Sequence, residues 1–252
     1  LENILASTTE KWNSDLTGGI IMDPSTGEIY AMEVYPTFNP NYPEQEASSK
    51  IFSNPLVENV YEMGSIIKPI TVAAGIDAGV ISPQWTYYDG GSITVSNKVL
   101  SNFDGKARGV VGVQDLLSQS LNVGAVQVQK LLGNKRFAEY LFNFGIDERT
   151  GIELPNEAKN LVDNIKTNVD VNFATASFGQ GIALTPLSTI RALAVLANGG
   201  VLVQPHLIKS VNYKIGYSKE TKTEEPRRVV SKETTDKLAK LLTYSYDNVL
   251  SN

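Results

Sequence analysis

Two pairs of residues in this chain have the types and spacing for nucleophilic chemistry. In MGSIIKPITVAAGIDAG, residues 63–79, Ser65 and Lys68 stand three apart at the start of an apolar, alanine-rich run. On a helix the i and i+3 positions share a face, so the two side chains come within reach of each other. A serine hydroxyl attacks weakly until something takes its proton. A lysine can do so once burial or a neighbouring cation brings its pKa down from about 10.4 toward neutrality. Ser65 would also stand at a helix N-terminus, where free amides and the dipole favour developing negative charge. By itself the pair is better explained by a serine N-cap and a helix-forming lysine, since S-x-x-K occurs often by chance. The second pair lies in SQSLNVG, which sets Ser120 and Asn122 two apart where two helices are expected to meet. There a second hydroxyl could relay a proton, and an amide could hold Lys68 and a substrate carbonyl. Either residue could instead simply cap the second helix.

The remaining inventory removes the competing chemistries. The chain has one histidine, His206, beside Pro205 in a strand-like segment, which reads as structural or solvated and not as a triad base. It has no cysteine, so disulfides and thiolate metal sites are excluded, and one histidine cannot form a histidine cluster. Neither a P-loop nor a G-x-G-x-x-G spacing occurs. The carboxylates fall in turns and on polar helix faces. The net charge is −5 and no basic cluster is longer than Arg227-Arg228, which speaks against a nucleic-acid surface. A serine nucleophile with a lysine base is what the inventory leaves.

The elements that must position these residues follow from pattern. With 252 residues, 42% of them hydrophobic, the chain can bury a real core. Residues 1–16 read as a polar helical lead-in. GGIIMDPSTGEIYAMEVYP reads as a β-hairpin, with the turn at Asp23–Gly27. The Ser65–Lys68 helix runs to about Gly79, a C-cap glycine. Residues 82–110 predict short surface strands, and VGVQDLLSQSLNVGAVQVQKLLG predicts two helices meeting around Ser120–Asn122. KRFAEYLFNFGI is a further amphipathic helix ending near Gly145. FATASFGQG, residues 173–181, runs glycine-rich into a helix with Pro186 in its first turn and a Gly-Gly stop. Residues 201–211 read as a strand and 231–246 as a last helix with Ser231 as N-cap. No uninterrupted apolar stretch reaches the roughly 18 residues of a membrane span, and no signal peptide is read. Strands at both ends of a helical middle predict a sheet covered by helices, an α+β or three-layer arrangement.

These residues resemble the penicillin-binding protein transpeptidase domain, a serine acyltransferase family whose known signature joins S-x-x-K to a Ser-x-Asn and a Lys-(Thr/Ser)-Gly. The similarity is collinear over roughly residues 18–210: GGIIMDPSTGEIYAMEVYPTFNPN, NVYEMGSIIKPITVAAGIDAGVISP, LSNFDGKARGVVGVQDLLSQSLNVGAVQVQKLLG, FGIDERTGIELPNE and TASFGQGIALTPLSTIRALAVLANGGVLVQPHLI. The class B type, with a separate domain upstream, is the closer likeness. The resemblance implies the α+β fold of that family and of the serine β-lactamases, an antiparallel sheet covered by helices plus an all-helical subregion, incomplete at the C-terminus. It divides the chain into a lead-in, 1–17, from an upstream region and a partial transpeptidase domain, 18–252.

Carried onto this sequence, the resemblance implies Ser65 as the acylated nucleophile and Lys68 as its base. Ser120 would relay the proton toward the leaving amine, and Asn122 would contact Lys68 and the substrate amide. The Ser65 N–H would be an oxyanion donor, with Gly64, Gly179, Gln180 and Gly181 at the substrate. The implied reaction is attack on a D-alanyl-D-alanine stem peptide, loss of the terminal D-alanine and transfer to an amine of a neighbouring peptidoglycan strand. β-Lactams would acylate Ser65 as mimics, no cofactor is implied, and division or elongation proteins are the implied partners. The implied location is the outer face of the bacterial cytoplasmic membrane, held by an N-terminal anchor. A non-catalytic cell-wall scaffold and a class D-like β-lactamase or β-lactam sensor are the alternative readings.

One element of the signature is missing. Lys-Thr-Gly or Lys-Ser-Gly is expected on a strand after the last helix, but the nearest strings are KTN at 166–168 and KTE at 222–224. The chain therefore reads as a domain truncated before its third motif. Losing one oxyanion donor alone lowers turnover on the order of 10² to 10³. The 252 residues by themselves are expected to have little or no transpeptidase activity, and a complete parent to be active.

Overall fold

The computed structural model describes residues 1–45 and 49–250. Helix α1 (Glu2–Trp12) leads into strands β1 (Thr17–Met22) and β2 (Ile29–Tyr35). Their turn forms as expected: Asp23 Oδ1 accepts from the Ser25 N–H at 2.7 Å, and Gly27 takes a left-handed φ of +82°. The strands pair antiparallel with Ile20 opposite Met32. Alternation therefore puts Ile20, Met32 and Val34 on one face, packed with Leu56 and Val57 of α2 (Pro55–Glu58) and with Leu187. A Cβ on Gly19, which faces the other way, would meet Leu1 and Leu5 of the α1 segment.

The helical part is built around α3 (Lys68–Asp77), in which Ile70, Val72, Ala73 and Ala74 are fully buried. Burying an Ile or Val side chain contributes about 1.5–3 kcal/mol, so this helix is fixed by its surroundings and not by propensity. After it come two nested hairpins: β3 (Thr86–Asp89) pairs with β6 (Gly109–Gly112), and β4 (Ser92–Val95) pairs inside them with β5 (Lys98–Ser101). Helices α4 (Val113–Ser118), α5 (Asn122–Leu132) and α6 (Asn134–Asn143) follow. At Gly75 a Cβ would lie 2.7 Å from Val128, so the absence of a side chain lets α3 and α5 approach closely.

Helices α7 (Asp170–Ala176) and α8 (Pro186–Ala197) complete the middle of the chain. Thr185 caps α8 by accepting from the Ser188 N–H, with Pro186 at the first helical position. Strands β7 (Val201–Leu202), β8 (Ser210–Asn212), β9 (Ser218–Glu220) and β10 (Arg227–Arg228) precede α9 (Lys232–Ser245), whose N-cap is Ser231 as expected.

The α+β class is as read from the sequence. The described strands, however, form five separate antiparallel pairs. The β1–β2 pair is covered by α1 on one face and by α2 with α8 on the other. The single strand expected over 201–211 is two short ones, because Pro205 has no N–H to donate and only a bridge between Glu28 and His206 spans the gap. Residues 170–176, which carried no helical expectation, form α7. No helix among the described residues is long and apolar enough to cross a membrane.

Candidate active site

Ser65 lies in a 3-10 turn, Gly64–Ile67, that runs directly into α3. In 3-10 geometry i and i+3 eclipse, which points Ser65 and Lys68 the same way more directly than an α-turn would. The turn is held from the side by the glycine-rich segment. Tyr61 and Leu184 exchange both backbone hydrogen bonds at 2.9 Å, the Gly64 N–H donates to the Gly179 carbonyl at 3.0 Å, and the Gly181 N–H donates to Glu62 Oε1 at 2.8 Å. One turn along α3, Thr71 Oγ1 donates to the Ser177 carbonyl at 2.7 Å. The S-F-G-Q-G run thus functions as the neighbour that fixes the serine's backbone. As the second residue of its turn, Ser65 has no intrahelical partner for its N–H, which leaves that donor available for an oxyanion.

Lys68 begins α3 and is 2% exposed. Its Nζ donates to Ser65 Oγ at 3.1 Å, to Ser120 Oγ at 2.8 Å and to the Ser120 carbonyl. Desolvation by burial pushes its pKa down to about 8. About a tenth of the amine is then free at pH 7, against a negligible fraction for a solvated lysine. Ser120 sits between α4 and α5 with a left-handed φ of 56°, which costs a non-glycine residue about 1 kcal/mol. That conformation turns both its hydroxyl and its carbonyl toward Lys68. Lys68 so bridges two serines 55 positions apart in the chain, and as the free amine its Nζ can take a proton from one while the other stands ready to receive it.

Asn122, the first residue of α5, donates through Nδ2 to the Ser101 carbonyl at 2.9 Å, where the sequence suggested a contact to Lys68. A cleft of about 460 Å³ opens over these groups. Gly64 and Ser65 lie on one side, Ser120 and Asn122 on another, and Phe178 and Gln180 border it. Of the four residues expected at the substrate, Gly64 and Gln180 line the cleft. Gly179 backs Gly64 from beneath, and Gly181 lines a separate cavity with Glu62 and Leu161.

Sequence reasoning did not single out Ser101, Phe103, Gln119 or Phe178, all of which line the cleft. Phe103 is fully exposed, and an aromatic inside the turn string S-N-F-D-G was the signal that could have found it. A larger cavity, about 660 Å³, is bordered by Met32, Val34, Phe38 and Phe52 and contains none of Ser65, Lys68 and Ser120. Size alone does not make it the reactive site.

Residues 17–246 match the family described as the penicillin binding protein transpeptidase domain. Among curated proteins, the penicillin-binding protein PbpB of Mycobacterium tuberculosis is 32% identical over 229 residues, covering 88% of this chain and 33% of that protein. The stage V sporulation protein D of Bacillus subtilis is 28% identical over 255 residues, covering 100% of this chain and 39% of its own length. The chain therefore spans about a third of the length of the curated relatives it matches. Among solved structures, penicillin binding protein 3 of Mycobacterium tuberculosis complexed with aztreonam superposes with a TM-score of 0.91 at 28% identity, over 96% of this chain and 54% of that one. The same protein complexed with ampicillin gives the same TM-score of 0.91. With its serine, lysine and Ser-Leu-Asn brought together in one cleft, and the match running from β1 through α9, this chain belongs to the penicillin binding protein transpeptidase domain family.

Proposed function

We propose that this chain is the serine-bearing part of a peptidoglycan D,D-transpeptidase, with Ser65 as the acylated nucleophile. The observation that carries the reading is the buried Lys68 ammonium held between the Ser65 and Ser120 hydroxyls. With Lys68 as the free amine, Ser65 Oγ–H donates its proton to Nζ while Oγ attacks the carbonyl carbon of the penultimate D-alanine. The tetrahedral oxyanion accepts from the Ser65 N–H. As the peptide C–N bond breaks, Lys68 returns the proton to the leaving D-alanine nitrogen through the Ser120 hydroxyl. An amine from a second stem peptide then attacks the acyl-serine, with the same groups run in reverse.

Asn122 lies at the cleft where an acyl-chain amide would pass, and Gly64 and Gln180 border the same space. Relatives of known structure are complexed with aztreonam and ampicillin, which supports β-lactams as acylating mimics here. The sequence contains no Lys-Thr-Gly or Lys-Ser-Gly. The full reaction is proposed for a protein in which such a strand completes the opposite wall, and the 252 residues alone are proposed to be weak or inactive. Cell-wall stem peptides are the proposed partners, on the outer face of the cytoplasmic membrane.

The test is acylation by a fluorescent penicillin, read on the full-length protein after denaturation and located by peptide mass. The expected result is a long-lived label on Ser65 that Ser65→Ala removes. Absence of label from the full-length protein would overturn the assignment, and rapid release of the label as hydrolysed drug would make the protein a β-lactamase instead. Cells that tolerate Ser65→Ala without a wall defect would point to a scaffold.

A further inference from the structure

Helix α5 carries the Ser120–Asn122 motif at its N-terminus, yet its own N-cap, Leu121, has no side chain able to accept a hydrogen bond. The first amides of a helix need such an acceptor. It is supplied from the nested hairpins. Asn102 Oδ1 accepts from the Val123 N–H at 3.1 Å, one residue after Asn122. Asn102 is 4% exposed, and its amide nitrogen donates to both oxygens of Asp89 at 2.8 Å each. Asp89 is fully buried and also accepts from the Gly91 N–H at 2.7 Å. The Asn102 backbone N–H is in turn held by the Gly91 carbonyl at 2.9 Å.

The polarity of this chain of bonds is fixed by chemistry. Both Asp89 oxygens accept from the Asn102 amide nitrogen, so the NH2 end of Asn102 faces the carboxyl group and the carbonyl end faces the helix. The residue before Asn102 completes the clamp, because the Ser101 carbonyl is what accepts from the Asn122 side chain. One end of β5 therefore holds both the Asn122 amide group and the Val123 amide next to it.

We infer that Asn102, oriented by Asp89, is a positioning residue for the Ser120–Asn122 motif. It caps α5 from outside and so sets where Asn122 and the left-handed Ser120 stand against Lys68. The inference rests on the reading of Ser65 as the acylated nucleophile. It predicts that Asn102 acts on the rate of the chemical step more than on the affinity for the ligand. A displacement of about 1 Å in a catalytic group lowers rate on the order of 10²-fold.

The experiment measures the acylation rate constant and the non-covalent dissociation constant of a fluorescent penicillin on the full-length protein. Asn102→Ala is expected to lower the rate constant about 10- to 100-fold with little change in the dissociation constant. Asn102→Asp sets two carboxylates against each other. It removes the donor that Asp89 accepts from and is expected to be impaired. The exchange Asp89→Asn with Asn102→Asp restores an amide facing a carboxylate, and the new carboxylate can still accept from Val123. That double variant is expected to return to within about twofold of the wild-type rate, the scatter of independent effects.

Should Asn102→Ala prevent folding, the double variant decides the matter. Rescue supports the inference, and a double variant no better than the two single losses combined overturns it. A wild-type rate in Asn102→Ala would also overturn it, with Ser65 acylation intact. Failure of the wild type to acylate would instead sink the functional reading beneath it.

Discussion

Gly64 and Gly179 touch backbone to backbone: a Cβ built on Gly179 would lie 2.0 Å from the Gly64 oxygen. Gly179 also holds a φ of +80°, which an L side chain rarely adopts. Neither the carbonyl nor the turn can give way without moving Ser65, the next residue. Gly179→Ala is therefore expected to reduce penicillin acylation on the order of 10²-fold and to lower the melting temperature. Gly181→Ala is the contrasting case. Its new Cβ would meet the Thr175 hydroxyl at 3.0 Å, outside the cleft, so it should cost about 1–2 kcal/mol of stability from its left-handed φ and leave most of the acylation rate. Equal acylation in the two variants would show that the Gly64–Gly179 contact does not position the nucleophile.

Lys68 makes the pH dependence predictable in sign. Burial brings its pKa down to about 8, and in the proposed mechanism the free amine is the form that accepts the Ser65 proton. The acylation rate constant should rise about tenfold per pH unit below 8 and level off above it. The same shift has a stability consequence, since the unfolded chain holds its lysine proton up to about 10.5. Between about 8 and 10.5 the unfolded state binds more protons, so this group's burial penalty shrinks as pH rises through that window. A rate profile flat from pH 6 to 9 would remove Lys68 as the base. Lys68→Ala is expected to abolish acylation while Ser65 remains in place.

How much of this was legible depends on whether the determining contact was local. The Ser65–Lys68 pairing and the α4–α5 junction are short-range and were read from spacing. The left-handed φ of Ser120 was not, because serine carries no signal for it and the group its hydroxyl meets, Lys68, lies 52 positions away in the chain. The partner of Asn122 was missed for the same reason: the Ser101 carbonyl lies 21 residues away on another element. Helix α7 is seven residues long, too short for apolar periodicity to register, and its ends are set by packing against α5 and α6. The hairpin β8–β9 is largely exposed and lacks the apolar alternation that marks a half-buried strand.

The C-terminal end of α3 supports α9. Asp77 accepts from the Ser231 N–H at 2.7 Å, from Thr234 Oγ1 at 2.9 Å and from the Tyr140 hydroxyl at 3.0 Å. Burial works to raise its pKa, but these donated bonds outweigh it and hold the carboxyl below its ordinary value. A lowered folded pKa means the contribution is present above the unfolded value of about 3.8 and is lost as pH falls through the folded one. Asp77→Ala should destabilise the protein by about 1–3 kcal/mol at pH 7, since it strands three donors. The difference from wild type should narrow in acid denaturation below pH 4, and a constant difference there would argue against the carboxylate as the cause.

Tyr87 offers a stabilising change. It is 5% exposed, stacks on Trp85 at 5.1 Å between ring centroids, and its hydroxyl has no hydrogen-bond partner among the described residues. Burial, with Asp89 and Asp115 nearby, raises its pKa, so the group stays a neutral phenol. A buried hydroxyl without a partner costs about 1–3 kcal/mol, whereas the ring beneath it packs well. Tyr87→Phe keeps the stacking and removes the stranded oxygen. It should raise stability by about 1 kcal/mol, a melting shift of roughly 2–4 °C for a domain of this size, and leave acylation unchanged. Gly124→Ala should stay destabilising in either background, because the new Cβ would still meet the ring Cζ of residue 87 at 2.6 Å. A Tyr87→Phe protein less stable than wild type by 1 kcal/mol or so would mean that the hydroxyl makes a bond worth keeping and is not stranded.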